Sequence, residues 1–323
     1  RIRQMGLGNL VFPAAEHSRF SHALGSLELM QQVLNNLQEK DATISRLEYE
    51  GSSIAILLHD LGHGPLSHTL EHTLIDNFSH EMMTLAIMRK LNHELDGALE
   101  TAIEIFTGQH PKPFLQQLVS SQLDVDRLDY LKRDSFFTGV YEGAVGIERI
   151  LKTMRVFNNH IVIEKKGIYA IENYILARRL MYMQVYLHKT VLSADQLLRN
   201  IMRRAEYLND NGHELPFSSP SLAFFFNQKP TASEGLSSEV IDHYINIDDQ
   251  DIFLSIRLWQ NSDDPVLADL SYRFINRKLF RTTFLKNGPN ESIQHDMKQK
   301  TKDWLKNSEL PARDDIIPYY LGF

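Results

Sequence analysis

Seven of the chain's 14 histidines fall within its first 80 residues, as His17, His22, His59, His63, His68, His72 and His80. A buried imidazole needs hydrogen-bond partners and titrates near neutral pH, so this concentration restricts how the surrounding segment can fold. The apolar pattern supplies the frame. From Ser18 to about Lys40, Phe20, Leu24, Leu27, Met30, Val33, Leu34 and Leu37 recur at intervals of three and four, which predicts a helix with one apolar face. Ile54, Ala55, Leu57 and Leu58 predict a short buried helix. It ends at His59-Asp60-Leu61-Gly62-His63-Gly64-Pro65, where two glycines and a proline stop it.

Further helices are expected over Met82–Leu95, Leu115 to about Arg133, and Asn173 to about Leu208. The stretch His160 to Ile171 alternates about a Lys-Gly turn and reads as a β-hairpin. Beyond Gly212 three prolines, Pro216, Pro220 and Pro230, interrupt the pattern. Short helices are expected at Ser238–Tyr244, Asp248–Gln260 and Pro265–Arg277, and the tail from Asn287 is polar and charged. The fold class is therefore all-α: a helical bundle with a small β-hairpin insertion and a helical C-terminal region. We expect a catalytic core over residues 1–210, with the helical region 211–323 packed on it or used in oligomer contacts.

Composition removes several chemistries. There is no cysteine, so disulfides, thiolate nucleophiles and Cys-based zinc or iron–sulfur sites are excluded, and any metal must be held by His, Asp or Glu. The formal net charge of -7 offers no basic field for a stable nucleic-acid partner. No apolar run approaches the roughly 20 residues that cross a bilayer, and no signal peptide is seen, so no membrane association and a cytoplasmic location are expected. The first residue is Arg1 rather than Met, so the chain is expected to begin inside a longer protein.

His59 and Asp60 adjoin where the backbone leaves helical geometry, so their side chains can converge on one ion. His22, from the preceding helix, and Asp126, in Leu123-Asp-Val-Asp-Arg-Leu-Asp-Tyr130, can add a nitrogen and an oxygen ligand. Two imidazoles and two carboxylates suit Zn, Fe, Mn or Ni and leave positions open for water and phosphate oxygens. Asp124, Asp126, Asp129 and Asp134 crowd one stretch and would repel one another without positive partners nearby. Arg178, Tyr182 and Tyr186 lie four residues apart on one expected helix, and Arg127, Tyr130 and Asp134 share a face of another. By spacing alone such residues are more often core or solvated face than ligand contacts.

A histidine, then His-Asp, then a distant Asp is the pattern of the HD superfamily. The match goes further. Arg3-Gln-Met-Gly-Leu-Gly…Val11-Phe-Pro…His17-Ser-Arg-Phe-Ser-His22, His59-Asp-Leu-Gly-His-Gly-Pro-Leu-Ser-His68 and Asp124-Val-Asp-Arg-Leu-Asp-Tyr…Arg133-Asp134 resemble the deoxynucleotide triphosphohydrolase branch. The resemblance runs from about Arg3 to Phe284. It implies His22, His59, Asp60 and Asp126 as ligands of one divalent transition metal, with Mg an option alongside the substrate phosphates. It implies that His63, His68, Glu71 and His80 line the reaction site as acid, base or electrostatic partners. It gives phosphate contacts to Arg178 and Arg19, the sugar edge to Gln4, the deoxyribose and its 3′-hydroxyl to Tyr130 and Asp134, and the 2′ position to Tyr186. Arg127 stands where a vertebrate member has lysine, and Tyr182 where it has histidine.

The expected function is metal-dependent hydrolysis of deoxynucleoside triphosphates, dGTP-like, to deoxynucleoside and triphosphate by a homo-oligomer, a dimer or larger. Two alternatives stay open: a phosphohydrolase of nucleoside monophosphates, cyclic or signalling nucleotides, and a nucleotide-binding regulatory protein.

Overall fold

The computed structural model describes every residue except His72, Lys286, Asn287 and Phe323, and for His68 and Glu234 the backbone alone. The chain forms two compact units, one of residues 1–63 and 79–187, the other of residues 64–78 and 188–323. In chain order the helices begin with α1 (Arg19–Gln38), α2 (Arg46–Leu58), α3 (Ser67–Leu70), α4 (His80–Glu94), α5 (Glu100–Phe106), α6 (Pro113–Val119), α7 (Val125–Thr138) and α8 (Ile147–Thr153). A hairpin of β1 (Met154–Phe157) and β2 (His160–Ile163) follows, then α9 (Ile168–Met181) and a π-helical turn, Tyr182–Tyr186. Next come α10 (Lys189–Asp210), α11 (Pro220–Gln228), α12 (Ser238–Asn246), α13 (Asp249–Trp259), α14 (Pro265–Ile275) and α15 (Glu291–Lys306). The class is all-α with one two-stranded hairpin among the described residues.

In the first unit α1 packs on α2 and α7, and α2 on α5. Met30, Val33, Leu34 and Leu37 of α1, Ala55 and Ile56 of α2, and Leu128 and Leu131 of α7 are completely buried together. Polar side chains set the helix starts. The Ser18 hydroxyl accepts from the Ser21 amide, Ser45 and Glu48 form a capping box, and the Ser79 hydroxyl accepts from the Met82 amide. In the second unit α10 lies against α3, α11 and α14. Leu197, Ile201, Ile256, Trp259 and Leu270 form its interior. The guanidinium of Arg204 is anchored there by a two-pronged pair to Asp264 at 3.0 and 2.6 Å.

Three local expectations are corrected. The hairpin lies one strand earlier than expected: β1 pairs antiparallel with β2, Met154 opposite Ile163 and Phe157 opposite His160. Its turn is Asn158–Asn159, both left-handed at φ 50 and 60°, as a tight hairpin requires. The Lys165–Gly167 turn instead leads into α9. The helix expected over residues 115–133 is two, because the Asp124 side chain caps a fresh start by accepting from the Arg127 amide at 2.7 Å. The long helix expected over residues 173–208 is also broken, after the π turn, where His188 caps α10. That helix, read from the sequence as part of the catalytic core, belongs to the second unit. The polar tail contains α15, capped by Asn290.

The loop after α2 is clamped onto the first turns of α4. The Gly62 amide donates to the Thr84 hydroxyl at 2.9 Å, and that hydroxyl donates to the His59 carbonyl at 3.0 Å. A Cβ at position 62 would overlap the His80 carbonyl oxygen and the Thr84 amide nitrogen, both backbone atoms. Gly62→Ala should therefore destabilise the protein by roughly 1–3 kcal/mol, the range for overpacking a rigid contact. Gly146→Ala, where no atom lies within 4 Å of the added Cβ, should leave the chemical unfolding midpoint nearly unchanged. Equal midpoints for the two variants would contradict the clamp.

Candidate metal centre and the surrounding site

Three helices of the first unit bring a compact donor set together. His22 lies one turn into α1, His59 caps the end of α2, and Asp126 sits in the first turn of α7. One donor atom from each lies within 4.8 Å of the others. The His22 Nε2 atom is 3.1 Å from Asp126 Oδ1, and His59 Nε2 is 3.6 Å from the same oxygen. Both Nε2 atoms are buried, and neither has the alignment of a hydrogen bond. Their Nδ1 atoms, by contrast, are engaged: His22 with Asp129 Oδ2 at 2.8 Å, His59 with the Ile56 carbonyl at 2.6 Å. Those acceptors carry no proton, so each Nδ1 donates, and in the neutral ring each Nε2 lone pair faces Asp126. Two orphaned nitrogens converging on a carboxylate fit a divalent first-row ion.

Asp60 stands beside this trio. Its Oδ1 is 3.3 Å from His59 Nε2, and its Oδ2 is 3.9 Å from His22 Nε2 and accepts from Arg19 at 2.6 Å. Arg19 thus meets the centre through Asp60, with its Nε buried and unpartnered. His63 Nε2 lies 3.5 Å from Asp60 Oδ1, and the His63 and His80 rings stack with centroids 3.9 Å apart.

The charges respond to this crowding. Burial alone would lower His22, but the carboxylates of Asp126, Asp129 and Asp60 overcome it and raise its pKa to about 10. His59 is raised against its burial by Asp60 and Asp126. Burial opposes ionisation of Asp60, yet His59, Arg19 and His63 hold it well below the usual carboxylate range. Asp126 is lowered in the same way by His22 and His59. His63 goes the other way: burial, reinforced by Arg19, lowers it to about 3.

A second cluster surrounds Asp134, 2% exposed near the end of α7. Its Oδ1 is 2.7 Å from His17 Nε2 and its Oδ2 accepts from the Tyr186 hydroxyl at 2.6 Å. Burial and Asp134 keep that phenol well above its ordinary pKa, so it stays a donor. The Tyr186 ring meets Tyr130 and Tyr182 edge-on at 6.2 and 5.1 Å. Gln4 is held beside His17, its amide donating to the His17 carbonyl at 3.0 Å, and its own Oε1 is buried without a partner. Arg178 donates to Gln122 at 3.1 Å and lies 6.0 Å from the Tyr182 ring, while Arg127 is drawn onto Asp124.

The structure thus groups His22, His59, Asp60, Asp126, Arg19, His63 and His80, and separately Asp134, Tyr186, Tyr130 and Tyr182. Glu71 belongs to the second unit, and the His68 side chain and His72 lie outside the described residues. Sequence reasoning assigned no role to His17, Asp129 or Arg133, although Asp129 and Arg133 stand at the helical i, i+4 spacing that signals a pair.

A ligating imidazole must be neutral at the nitrogen that binds, whereas metal-free His22 holds its proton up to about pH 10. Metal uptake near pH 7 should therefore expel protons, and apparent affinity should fall as pH falls, by about tenfold per unit for each proton displaced. Titration calorimetry in buffers of different ionisation enthalpy measures the release; uptake with no proton release would contradict the ligand role of His22.

A family model described as HD domain matches residues 19–134, and one described as HD associated region matches residues 145–213. A crystal structure of a phosphohydrolase from Bacteroides thetaiotaomicron VPI-5482 is 42% identical, with a TM-score of 0.93, covering 99% of this chain and 79% of that one. The uncharacterized protein YwfO of Bacillus subtilis is 35% identical over 300 residues, which are 91% of this chain and 66% of that protein. A Dictyostelium discoideum protein named as a deoxynucleoside triphosphate triphosphohydrolase SAMHD1 homolog is 29% identical over 225 residues, 64% of this chain and 43% of its own length. The chain therefore spans just under two thirds of the Bacillus protein and less than half of the Dictyostelium one. The stretch matched as HD domain is the one that carries the histidine–carboxylate centre, and with the Bacteroides likeness this makes the chain a member of the HD-domain phosphohydrolase superfamily.

Proposed function

We propose that the protein is a metal-dependent phosphohydrolase that cleaves deoxynucleoside triphosphates to deoxynucleoside and triphosphate. The observation that carries the substrate reading is the buried Asp134 carboxylate, fixed by His17 and Tyr186 beside the Tyr130 ring. Such a group suits a sugar hydroxyl: an acceptor that cannot rotate, walled by aromatic faces. The family resemblance assigns Tyr186 to the 2′ side of the sugar, and its hydrogen bond to Asp134 keeps the ring from swinging clear. The Dictyostelium relative named as a deoxynucleoside triphosphate triphosphohydrolase homolog supports this reading.

His22, His59, Asp126 and Asp60 would hold the metal. When bound, such an ion supplies Lewis acidity, neutralising phosphate charge and acidifying water. In the proposed reaction a water oxygen bonds to the α-phosphorus as the bond to the 5′-oxygen breaks. One proton leaves the water and one must reach the departing oxygen. His63, lowered to about 3, is neutral at working pH and serves as a hydrogen-bond partner rather than a proton source. The proton donor is then His80, stacked on it. Arg19, held by Asp60 through one terminal nitrogen, keeps its remaining donors for phosphate oxygen. Among the described residues no helix is long and apolar enough to cross a membrane.

Product analysis of protein loaded with Mn or another divalent metal, given dGTP and GTP in parallel, tests the proposal. Deoxyguanosine and triphosphate should appear from dGTP, with GTP spared, and Tyr186→Ala should narrow that preference by about tenfold, the order of one lost pocket contact. Cleavage of monophosphates or cyclic nucleotides in place of triphosphates would replace the substrate assignment and leave the metal centre standing. Tight nucleotide binding without any product would instead make the protein a regulatory binder.

A further inference from the structure

The candidate metal centre contains an asymmetry that its ligand set does not explain. His59 directs its Nδ1 proton to a backbone carbonyl of its own helix, so helix geometry alone orients the ring. His22 has no such anchor. Its Nδ1 meets the Asp129 carboxylate, and that carboxylate is itself held by Arg133, Nε to Oδ2 at 2.8 Å and a terminal nitrogen to Oδ1 at 2.9 Å. The two-pronged pair stops the carboxylate from turning away from the ring. Ser26 adds only a long 3.4 Å approach to the same nitrogen.

The space occupied by this pair is made by Gly25. Position 25 lies inside α1, three residues after His22, where glycine is a poor helix former. Its backbone needs no left-handed conformation, so conformational freedom does not account for it. A Cβ there would overlap Asp129 Oδ1 and a terminal nitrogen of Arg133, and would come within 2.8 Å of Asp129 Cγ. No backbone atom of α7 is among the atoms it would meet first. The glycine therefore serves the ion pair rather than the approach of two helices.

We infer that Gly25, Asp129 and Arg133 act as one positioning device that presents the His22 Nε2 lone pair to the metal, and that metal retention depends on it as well as on the ligands. This rests on the metal-centre reading. Because the atoms that clash are the ends of flexible side chains, Gly25→Ala should leave the fold standing while forcing the carboxylate off the ring. Partners of ligating histidines typically alter affinity by 10–100-fold when removed.

The test measures affinity of the full chain for Zn or Mn alone, by competition with a chromophoric chelator, in the native protein, Gly25→Ala, Asp129→Asn and the double variant. Helical circular dichroism and the unfolding midpoint of the metal-free proteins are recorded beside it. The expected result is a roughly 10–100-fold loss in each single variant while the metal-free proteins keep their helical circular dichroism and a cooperative unfolding transition, and no further loss in the double, since both disable one device. Arg133→Lys should recover part of what Arg133→Gln loses, because the ammonium keeps one prong. Should Gly25→Ala fail to fold, Asp129→Asn, which keeps the shape of the side chain, decides alone. Native-like affinity in folded Asp129→Asn overturns the inference, as does additive loss in the double variant. A native protein that takes up neither metal would overturn the metal-centre reading itself, and the inference with it.

Discussion

The contact between α1 and α7 is where this fold buries charge, and the rest of the first unit is arranged to make that burial tolerable. An isolated buried ion costs several kcal/mol, and removing one partner of a buried pair is correspondingly destructive. The stretch from the cap of α7 into its third turn carries four aspartates in eleven positions, Asp124 to Asp134, which in sequence looks like self-repulsion. The structure separates them around the helix and gives each its own partners. Asp124 caps the helix and takes Arg127; Asp126 faces His22 and His59; Asp129 takes Arg133 and the far side of His22; Asp134 takes His17 and Tyr186. Asp124, caught between burial and the charge of Asp126, shows the residual tension, its pKa raised to about 6. Only Asp126 is left with partners whose facing nitrogens form no hydrogen bond, and that is where a cation fits.

Much of this was legible in the sequence. The helices α1, α4, α13 and α14 follow their apolar period closely, because each buries one continuous face. What periodicity could not show are the breaks at residues 120–124 and 187–188, since the apolar rhythm continues across both while a single polar side chain, Asp124 or His188, restarts the helix. The hairpin was displaced for a related reason. Alternation around the Lys-Gly pair masked the Asn158–Asn159 turn just before it, where both residues take the left-handed conformation. The donor set was readable because histidine and aspartate are expensive to cluster, and its sharper assignment came from resemblance to a family. The supports beneath it were harder to see. Gly25 and Gly62 matter only through atoms of α7 and α4, and sequence spacing carries no sign of such approaches.

The far end of α7 carries a second fixed carboxylate. Asp126 and Asp134 are eight residues apart, about 12 Å along the helix axis, so one rigid element carries both the metal-side carboxylate and the proposed sugar-side carboxylate. That places any substrate contacting both under a fixed ruler. The partner of Asp134 comes from the π turn at Tyr182–Tyr186, closed by the Leu187 amide reaching back to the Tyr182 carbonyl at 2.9 Å. A π turn holds an extra residue relative to an α turn and is uncommon because its packing is poorer, but it recurs where a side chain must be re-aimed. Here it directs Tyr186 onto a carboxylate that is otherwise met only by His17 among the side chains described. A regular helix through this segment would carry the ring around with the α-helical rotation, leaving a buried anion short of a donor. The irregular turn and the buried aspartate thus account for each other.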